Sequence, residues 1–154
     1  MIVERATEDD LDGILSVDRA HMGTARVPFL EAAVKKRECY IARAGENVVG
    51  FAVLNRAFFG EYFIELLIVH PEQRRKGIGS ALLRHIEKIL PAEKLFTSTN
   101  QSNAPMQALC ERLGYVKSGW IENLDEGADE REIIYFKRIA LTPAPSPSGR
   151  GEHS

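Results

Sequence analysis

The stretch from residue 62 to residue 91 constrains the fold more than any other part of the chain. Residues 62–69, Tyr-Phe-Ile-Glu-Leu-Leu-Ile-Val, are apolar except for Glu65 and the hydroxyl of Tyr62, and Pro71 stops them. A short apolar run bounded in this way reads as a buried strand. A basic loop follows. Gly77-Ile78-Gly79 then opens a segment in which Leu82, Leu83, Ile86, Ile89 and Leu90 recur at helical spacing up to Pro91. Such a helix has one apolar face and must lay it on a sheet.

The junction itself has chemical meaning. The first turn of a helix carries unpaired backbone N–H groups and the positive end of the dipole. Gly77 and Gly79 lack side chains, which lets an anion approach those groups, and Arg74, Arg75 and Lys76 add positive charge. Backbone N–H groups of Arg75, Gly77, Gly79 and Ser80 are the expected donors, and the design suits a pyrophosphate. A Walker loop places lysine directly after its second glycine; Ser80 stands there, which disfavours an ATPase. The plainer alternative is a glycine-led turn with a solvated basic rim.

The rest of the chain alternates strand and helix patterns. Strands are expected at 2–5, 39–43, 48–56, 94–98, 115–122 and 132–138. Thr7 with Asp10 resembles a capping box before a helix carrying Leu11, Ile14 and Leu15. Pro28 starts a second helix with Leu30, Ala33 and Val34, and Pro105 a third with Met106, Leu109 and Leu113, closed by Gly114. The expectation is an α/β (α+β) domain over residues 1–140, with a mixed central sheet of about seven strands and about four helices. Residues 141–154 are rich in Pro, Ser and Gly and read as an extended or disordered tail.

Composition excludes several classes. Twenty Lys and Arg against 22 Asp and Glu leave a net charge of −2, which argues against a nucleic-acid partner. No apolar run reaches the ~20 residues of a membrane-spanning helix, and the N-terminus has no secretory pattern. Cys39 and Cys110 are far apart and without metal-like spacing, so neither a disulfide framework nor a metal is expected, and the cytoplasm is the default compartment.

The run Arg74-Arg75-Lys76-Gly77-Ile78-Gly79 resembles the Gln/Arg-x-x-Gly-x-Gly/Ala signature of the GNAT superfamily of N-acetyltransferases. Residues 103–115, Asn103-Ala104-Pro105-Met106-Gln107-Ala108-Leu109-Cys110-Glu111-Arg112-Leu113-Gly114-Tyr115, are similar to a second motif of that superfamily, Asn-x₅-Leu-Tyr-x-x-Leu-Gly-Phe. The order of helices and strands over about residues 1–140 fits as well. The resemblance implies a mostly antiparallel sheet whose central strands splay apart to admit pantetheine. It also implies transfer of an acetyl group from acetyl-CoA to a primary amine by direct attack in a ternary complex. Leu67, Ile68 and Val69 would pair with pantetheine amides like an added strand. A backbone N–H there would stabilise the oxyanion. Arg74 to Ser80, including Ile78, would hold the pyrophosphate, and Asn103 and Met106 complete the expected cofactor contacts.

Two departures from the family pattern bear on catalysis. The family often has a tyrosine after Leu109 that protonates the leaving thiolate; Cys110 stands here, either as a thiol acid or as a small buried packing residue. Tyr115 matches a core aromatic and is not its replacement. Ribosomal-protein alanine N-acetyltransferases, which the chain resembles, have a glutamate five residues before the matching asparagine, at the position of Ser98. The remaining carboxylate on the central strand is Glu65. Related acetyltransferases often carry an acidic residue at this strand position, so Glu65 is the candidate base, against the alternative of a salt-bridged or edge-facing glutamate.

Weaker candidates surround these. His70 is expected to be solvated, and His21 lies between the first two helices, which cover the acceptor in relatives. Trp120 with Asp125, Glu126, Asp129 and Glu130 could border a cationic amine. Thr97, Ser98, Thr99 and Asn100 are polar at a strand end facing the cleft. The competing function is a non-catalytic CoA or acyl-CoA sensor on the same fold; a nucleotide-binding regulatory domain is disfavoured by the second motif. The acceptor stays open among antibiotic, polyamine, amino acid and protein N-terminus. Residues 115–120 and 133–136, rich in aromatic and β-branched side chains, suggest a homodimer.

Overall fold

A computed structural model describes residues 1–124 and 130–141. Seven strands form one sheet in the order β1-β2-β3-β4-β5-β7-β6. They are β1 (Ile2–Arg5), β2 (Cys39–Ala44), β3 (Asn47–Phe58), β4 (Glu61–Val69), β5 (Lys94–Asn100), β6 (Val116–Ile121) and β7 (Glu132–Arg138). All neighbours run antiparallel except β4 and β5. The helices among the described residues are α1 (Leu11–Met22), α2 (Val27–Lys35), α3 (Ile78–Ile89) and α4 (Ala104–Arg112). The expected mixed sheet is thus observed. Asp125, Glu126, Asp129 and the segment 142–154 lie outside the described residues.

Two cores sandwich the sheet. Leu82, Leu83 and Ile86 of α3 pack with Cys110 of α4 on Tyr40, Ala52, Ile64, Leu95 and Tyr135. On the other face, Ile14 and Val17 of α1 and Leu30 and Val34 of α2 pack on Ile41, Phe51, Val53 and Ile68. The α1–α2 corner is held by the buried Asp18, whose carboxylate accepts hydrogen bonds from the Arg26 backbone N–H at 2.8 Å and guanidinium at 2.7 Å. Burial alone would raise the Asp18 pKa; the Arg26 hydrogen bonds and charge overcome it and hold the carboxyl below its usual range. Asp10 accepts from the backbone N–H of Thr7 at 2.8 Å, the reciprocal half of a capping box, and its other oxygen receives Arg43 at 2.7 Å.

Several bounds shift from their sequence expectation. Helix α3 stops at Ile89, because Leu90 precedes Pro91 and takes an extended conformation (ψ 123°). Strand β3 runs on to Phe58, which pairs with Glu61 across the hairpin. Strand β5 runs on to Asn100, because its ladder with β7 continues to Asn100↔Glu132.

Candidate active site

The central feature is an unpaired wedge. Strands β4 and β5 pair in parallel only at Phe63↔Phe96 and Ile64↔Thr97. Beyond that point β4 continues to Val69 and β5 to Asn100, each still paired on its outer side with β3 or β7. The two strands therefore diverge, and the inward backbone edge of Leu66–Val69 faces the gap. At the crotch, the buried Thr97 hydroxyl donates to the Ile64 carbonyl at 3.0 Å, closing the ladder where it ends. On the far side of the gap, Gln107 of α4 donates to the Asn100 and Gln101 carbonyls at 3.2 and 2.6 Å and braces the end of β5.

The basic loop lies at the mouth of the wedge. Gly77 is the N-cap of α3 in the left-handed region (φ 79°), and no side chain caps the helix. A Cβ at Gly77 would meet nothing within 4 Å, so the glycine serves conformation and leaves open space before the first N–H groups of α3. Gly79 differs from the sequence reading. A Cβ there would lie 3.1 Å from Leu109 Cδ2 and 3.9 Å from Leu67 and Val69, so this glycine lets α3 approach α4 and β4 closely. Gly50, which the sequence did not single out, does the same beneath the helix: its Cβ would meet Ile78 Cγ2 at 2.9 Å. Ile78 is buried and anchors the first turn. These residues fit a phosphate ligand: an uncapped helix start, an open left-handed glycine and three exposed cations, Arg74, Arg75 and Lys76. Arg75 is itself left-handed (φ 66°).

Arg74 is tied to α1, its guanidinium lying 3.2 Å from His21 Nδ1. Burial first, then the Arg74 and Arg26 charges, lowers the His21 pKa and favours the neutral ring that can accept from Arg74. His21 thus links α1 to the loop. Lys76 reaches Gln73 at 3.1 Å. His70, expected to be solvated, is half-buried and accepts the Glu72 N–H at 3.1 Å, capping a short turn.

Glu65 sits at a β-bulge. The β3–β4 register jumps from Val53↔Leu66 to Leu54↔Ile64, so Glu65 is the extra residue. Bulges re-aim side chains and recur beside active sites. Glu65 is exposed, and its Oε1 accepts from Asn55 Nδ2 at 2.7 Å. On the opposite bank, Ser98 donates to Glu132 Oε2 at 2.7 Å. Glu132 of β7 therefore places a carboxylate beside position 98. The sequence reading passed over Glu132, since only the β5–β7 pairing brings it there.

The other candidates separate. Cys110 has no solvent exposure, and burial, with a smaller contribution from Glu111, pushes its thiol up to about 12. Tyr115 is buried and donates to Glu87 at 2.8 Å; burial and the Glu87 charge raise its pKa further. Asn103 caps α4, accepting the Met106 N–H at 3.1 Å, and Met106 packs half-buried on the core. Trp120 pairs with Ile133, whose side chain faces the α3–α4 core, so it lies on the sheet face opposite the α1–α2 side; its ring is covered by Arg131 at 4.7 Å. Glu130 accepts the Ser102 N–H. Thr97 and Thr99 are buried, leaving Ser98 and Asn100 on the open face. A cavity of about 600 Å³ is lined by Arg5, Tyr40, Arg56, Tyr62 and His85, at the C-terminal end of α3 and away from the loop. Among the described residues no group of three or more His, Cys, Asp or Glu could hold a metal, and no helix is long and apolar enough to cross a membrane.

A split parallel pair at the centre of a mostly antiparallel sheet, with an uncapped glycine-led helix at its mouth, defines a CoA-type acyltransferase architecture. Comparison with known proteins makes this specific. The acetyltransferase (GNAT) family model matches residues 9–115, and the chain belongs to that family. An acetyltransferase of the GNAT family from Bacillus cereus ATCC 10987 is 35% identical, with 91% of this chain and 98% of that one covered and a TM-score of 0.85. The ribosomal-protein-S18-alanine N-acetyltransferase from Escherichia coli shares the fold at 23% identity, with 92% and 96% covered and a TM-score of 0.77. So does yncA from Salmonella typhimurium, solved with its cofactor acetyl-CoA, at 18% identity, with 96% and 98% covered and a TM-score of 0.73. No curated protein matches the chain in sequence.

Proposed function

We propose that this acetyltransferase moves an acetyl group from acetyl-CoA directly to a primary amine, with Glu65 as the proton acceptor. The observation that carries the reading is the coincidence of the β4 bulge at Glu65 with the point where β4 and β5 part. Acetyl-CoA supplies a thioester whose C–S bond breaks as the amine forms the new C–N bond. The chain's own residues do the rest. The N–H groups at the start of α3 and the charges of Arg74, Arg75 and Lys76 hold the pyrophosphate. The inward edge of Leu67, Ile68 and Val69 aligns the pantetheine amides and offers an N–H toward the developing oxyanion. Glu65, oriented by Asn55, takes the amine proton directly or through one water.

Cys110 is read as a packing residue. A donor held at about 12 would protonate an ordinary thiolate, of pKa about 8.5, several units uphill. The thiolate leaves by taking its proton from water. The burial of position 110 is also what favours the second reading, a CoA sensor without turnover.

The test is a pH–rate profile for the wild type, Glu65→Gln and Glu132→Gln with one accepting amine, read by thiol release. Glu65→Gln is expected to keep CoA affinity and to lose about 10²-fold in turnover at neutral pH. The loss should shrink at high pH, where the amine arrives deprotonated. A larger loss in Glu132→Gln would move the base to the Ser98–Glu132 pair. CoA binding without thiol release from any amine would establish the sensor.

A further inference from the structure

Five of the chain's seven phenylalanines gather at one place. Phe58 of β3 stacks on Phe63 of β4 with ring centroids 5.3 Å apart and planes at 22°. It also meets Phe96 of β5 at 5.1 Å, and Phe96 meets Phe136 of β7 at 5.1 Å. Phe59 stands edge-on to Phe58 at 5.0 Å and is 91% exposed. The row crosses four strands, and its four inner rings are only half-buried. Alternation places it on the α1–α2 face of the sheet. Those helices, however, cover a core farther along the strands, made of Phe51, Val53, Leu66 and Ile68, and that core does not include the row. Among the described residues the row is an apolar platform with rings turned to solvent.

Its position beside the proposed base gives it meaning. Phe63 precedes Glu65 by two residues, so their Cα atoms are about 7 Å apart along the strand. Asn55, which pairs with Phe63, is the residue that holds the Glu65 carboxylate. Two residues beyond Phe96 on the same face lies Ser98, bonded to Glu132. Two carboxylates therefore stand at one edge of an aromatic floor. A cation held at Glu65 has a ring-sized apolar surface within reach of a two- or three-carbon chain.

We infer that the acceptor is an amine whose nitrogen is joined by two or three carbons to an aromatic ring, with the nitrogen at Glu65 and the ring seated on Phe63 and Phe96. This rests on the proposed acetyl transfer for its role, but not for its test. Charge complementarity selects this occupant. A second copy of the chain would gain the apolar contact but leave Glu65 without a cation, and a polyamine would satisfy the carboxylates and touch a ring through a second cation but leave most of the apolar floor in water.

The experiment is calorimetric titration of phenethylamine and n-propylamine into the CoA complex, with thiol release followed separately. Phenethylamine should bind at least about tenfold more tightly than n-propylamine. Phe63→Leu, which keeps the apolar volume and removes the ring, should reduce that ratio severalfold while leaving the CoA titration unchanged. Equal affinity for the two amines, or a ratio unaltered in Phe63→Leu, overturns the inference. So does a change of sedimentation from dimer to monomer in Phe63→Leu with amine binding intact, which assigns the row to a subunit contact. Selectivity appearing only after removal of residues 142–154 likewise overturns it, since it assigns the row to that segment. Tight phenethylamine binding without thiol release from any amine keeps the inference and removes the acetyl-transfer reading; acetylation of n-propylamine with no preference for the ring does the reverse.

Discussion

The two glycines of the loop signature do different work, and substituting each in turn separates the roles. At Gly77 the backbone is left-handed (φ 79°) and nothing in the protein stands in the way of a side chain. Gly77→Val therefore meets no clash. It forces a β-branched residue into a conformation that costs an L-residue about 1–2 kcal/mol, and more when branched. The chain relieves that cost by leaving the left-handed region, which turns the N–H groups of residues 78–80 away from a common anion. Holding the loop in its binding shape then costs CoA at least this strain, about 5–30-fold in Kd. At Gly79 the φ is ordinary, and an added Cβ would press at 3.1 Å on the tip of Leu109. Gly79→Ala should cost about 1 kcal/mol of packing, a fall of roughly 2–4 °C in Tm, and change CoA affinity less than threefold. Calorimetric CoA titration and thermal unfolding of the two variants measure both numbers. A Gly79→Ala protein with unchanged Tm and CoA affinity as weak as Gly77→Val would refute the division of labour and put both glycines at the anion.

Other outcomes follow from buried groups and from the sheet edge. Cys110→Ala should lower stability by about 1 kcal/mol through a small cavity and leave thiol release within about threefold, measured by urea midpoint and turnover. Asp18→Ala, which strands Arg26, should cost about 3 kcal/mol at pH 7. Because the folded Asp18 carboxyl lies below its unfolded value, its stabilisation is fully present above about pH 4 and is lost as pH falls through the folded pKa. The variant's urea midpoint should lack that acid-side decline. Strand β6 ends the sheet with Val116, Trp120 and Ile121 exposed, so the protein should sediment as a dimer at micromolar concentration and Trp120→Lys as a monomer.

What the sequence made legible is what is local. The starts at Thr7, Pro28, Gly77 and Pro105 depend on capping, ring closure or a missing side chain within one turn: Thr7 caps the short turn Glu8–Asp10 that leads into α1, and the other three lie within a residue of their helix starts. The strand periods also survive, because they follow from which residues must leave water. The site was legible only as a set of types. Glu132 reaches Ser98 across 34 positions of sequence, and no local pattern marks a residue that opens a strand as part of a cleft. Gly79 reads in the sequence as room for an anion and Gly50 is not singled out at all; only the packing of α3 against Leu109 at one glycine and against the sheet at the other shows them as points of close approach. Trp120 reads in the sequence as bordering a cationic amine, but the β6–β7 register turns the indole to the α3–α4 face, away from the α1–α2 side.

The one charged residue of the apolar run at 62–69 joins these levels. Side chains alternate along a strand, so Tyr62 and Ile64 share the α3–α4 face. Without an extra residue Leu66 and Ile68 would fall there too, yet they pack against α1 and α2. The bulge at Glu65 makes that change of face, one residue after Ile64, the last residue of β4 with a β5 partner. A carboxylate is tolerated at that position because the ladder is broken on one side and ended on the other, leaving it in solvent beside Asn55. The same two interruptions open the backbone edge of Leu66–Val69. An apolar residue at position 65 would therefore be compatible with the fold, so the strand does not require the glutamate, and its exposure leaves the carboxylate open for the proton-accepting role proposed for it.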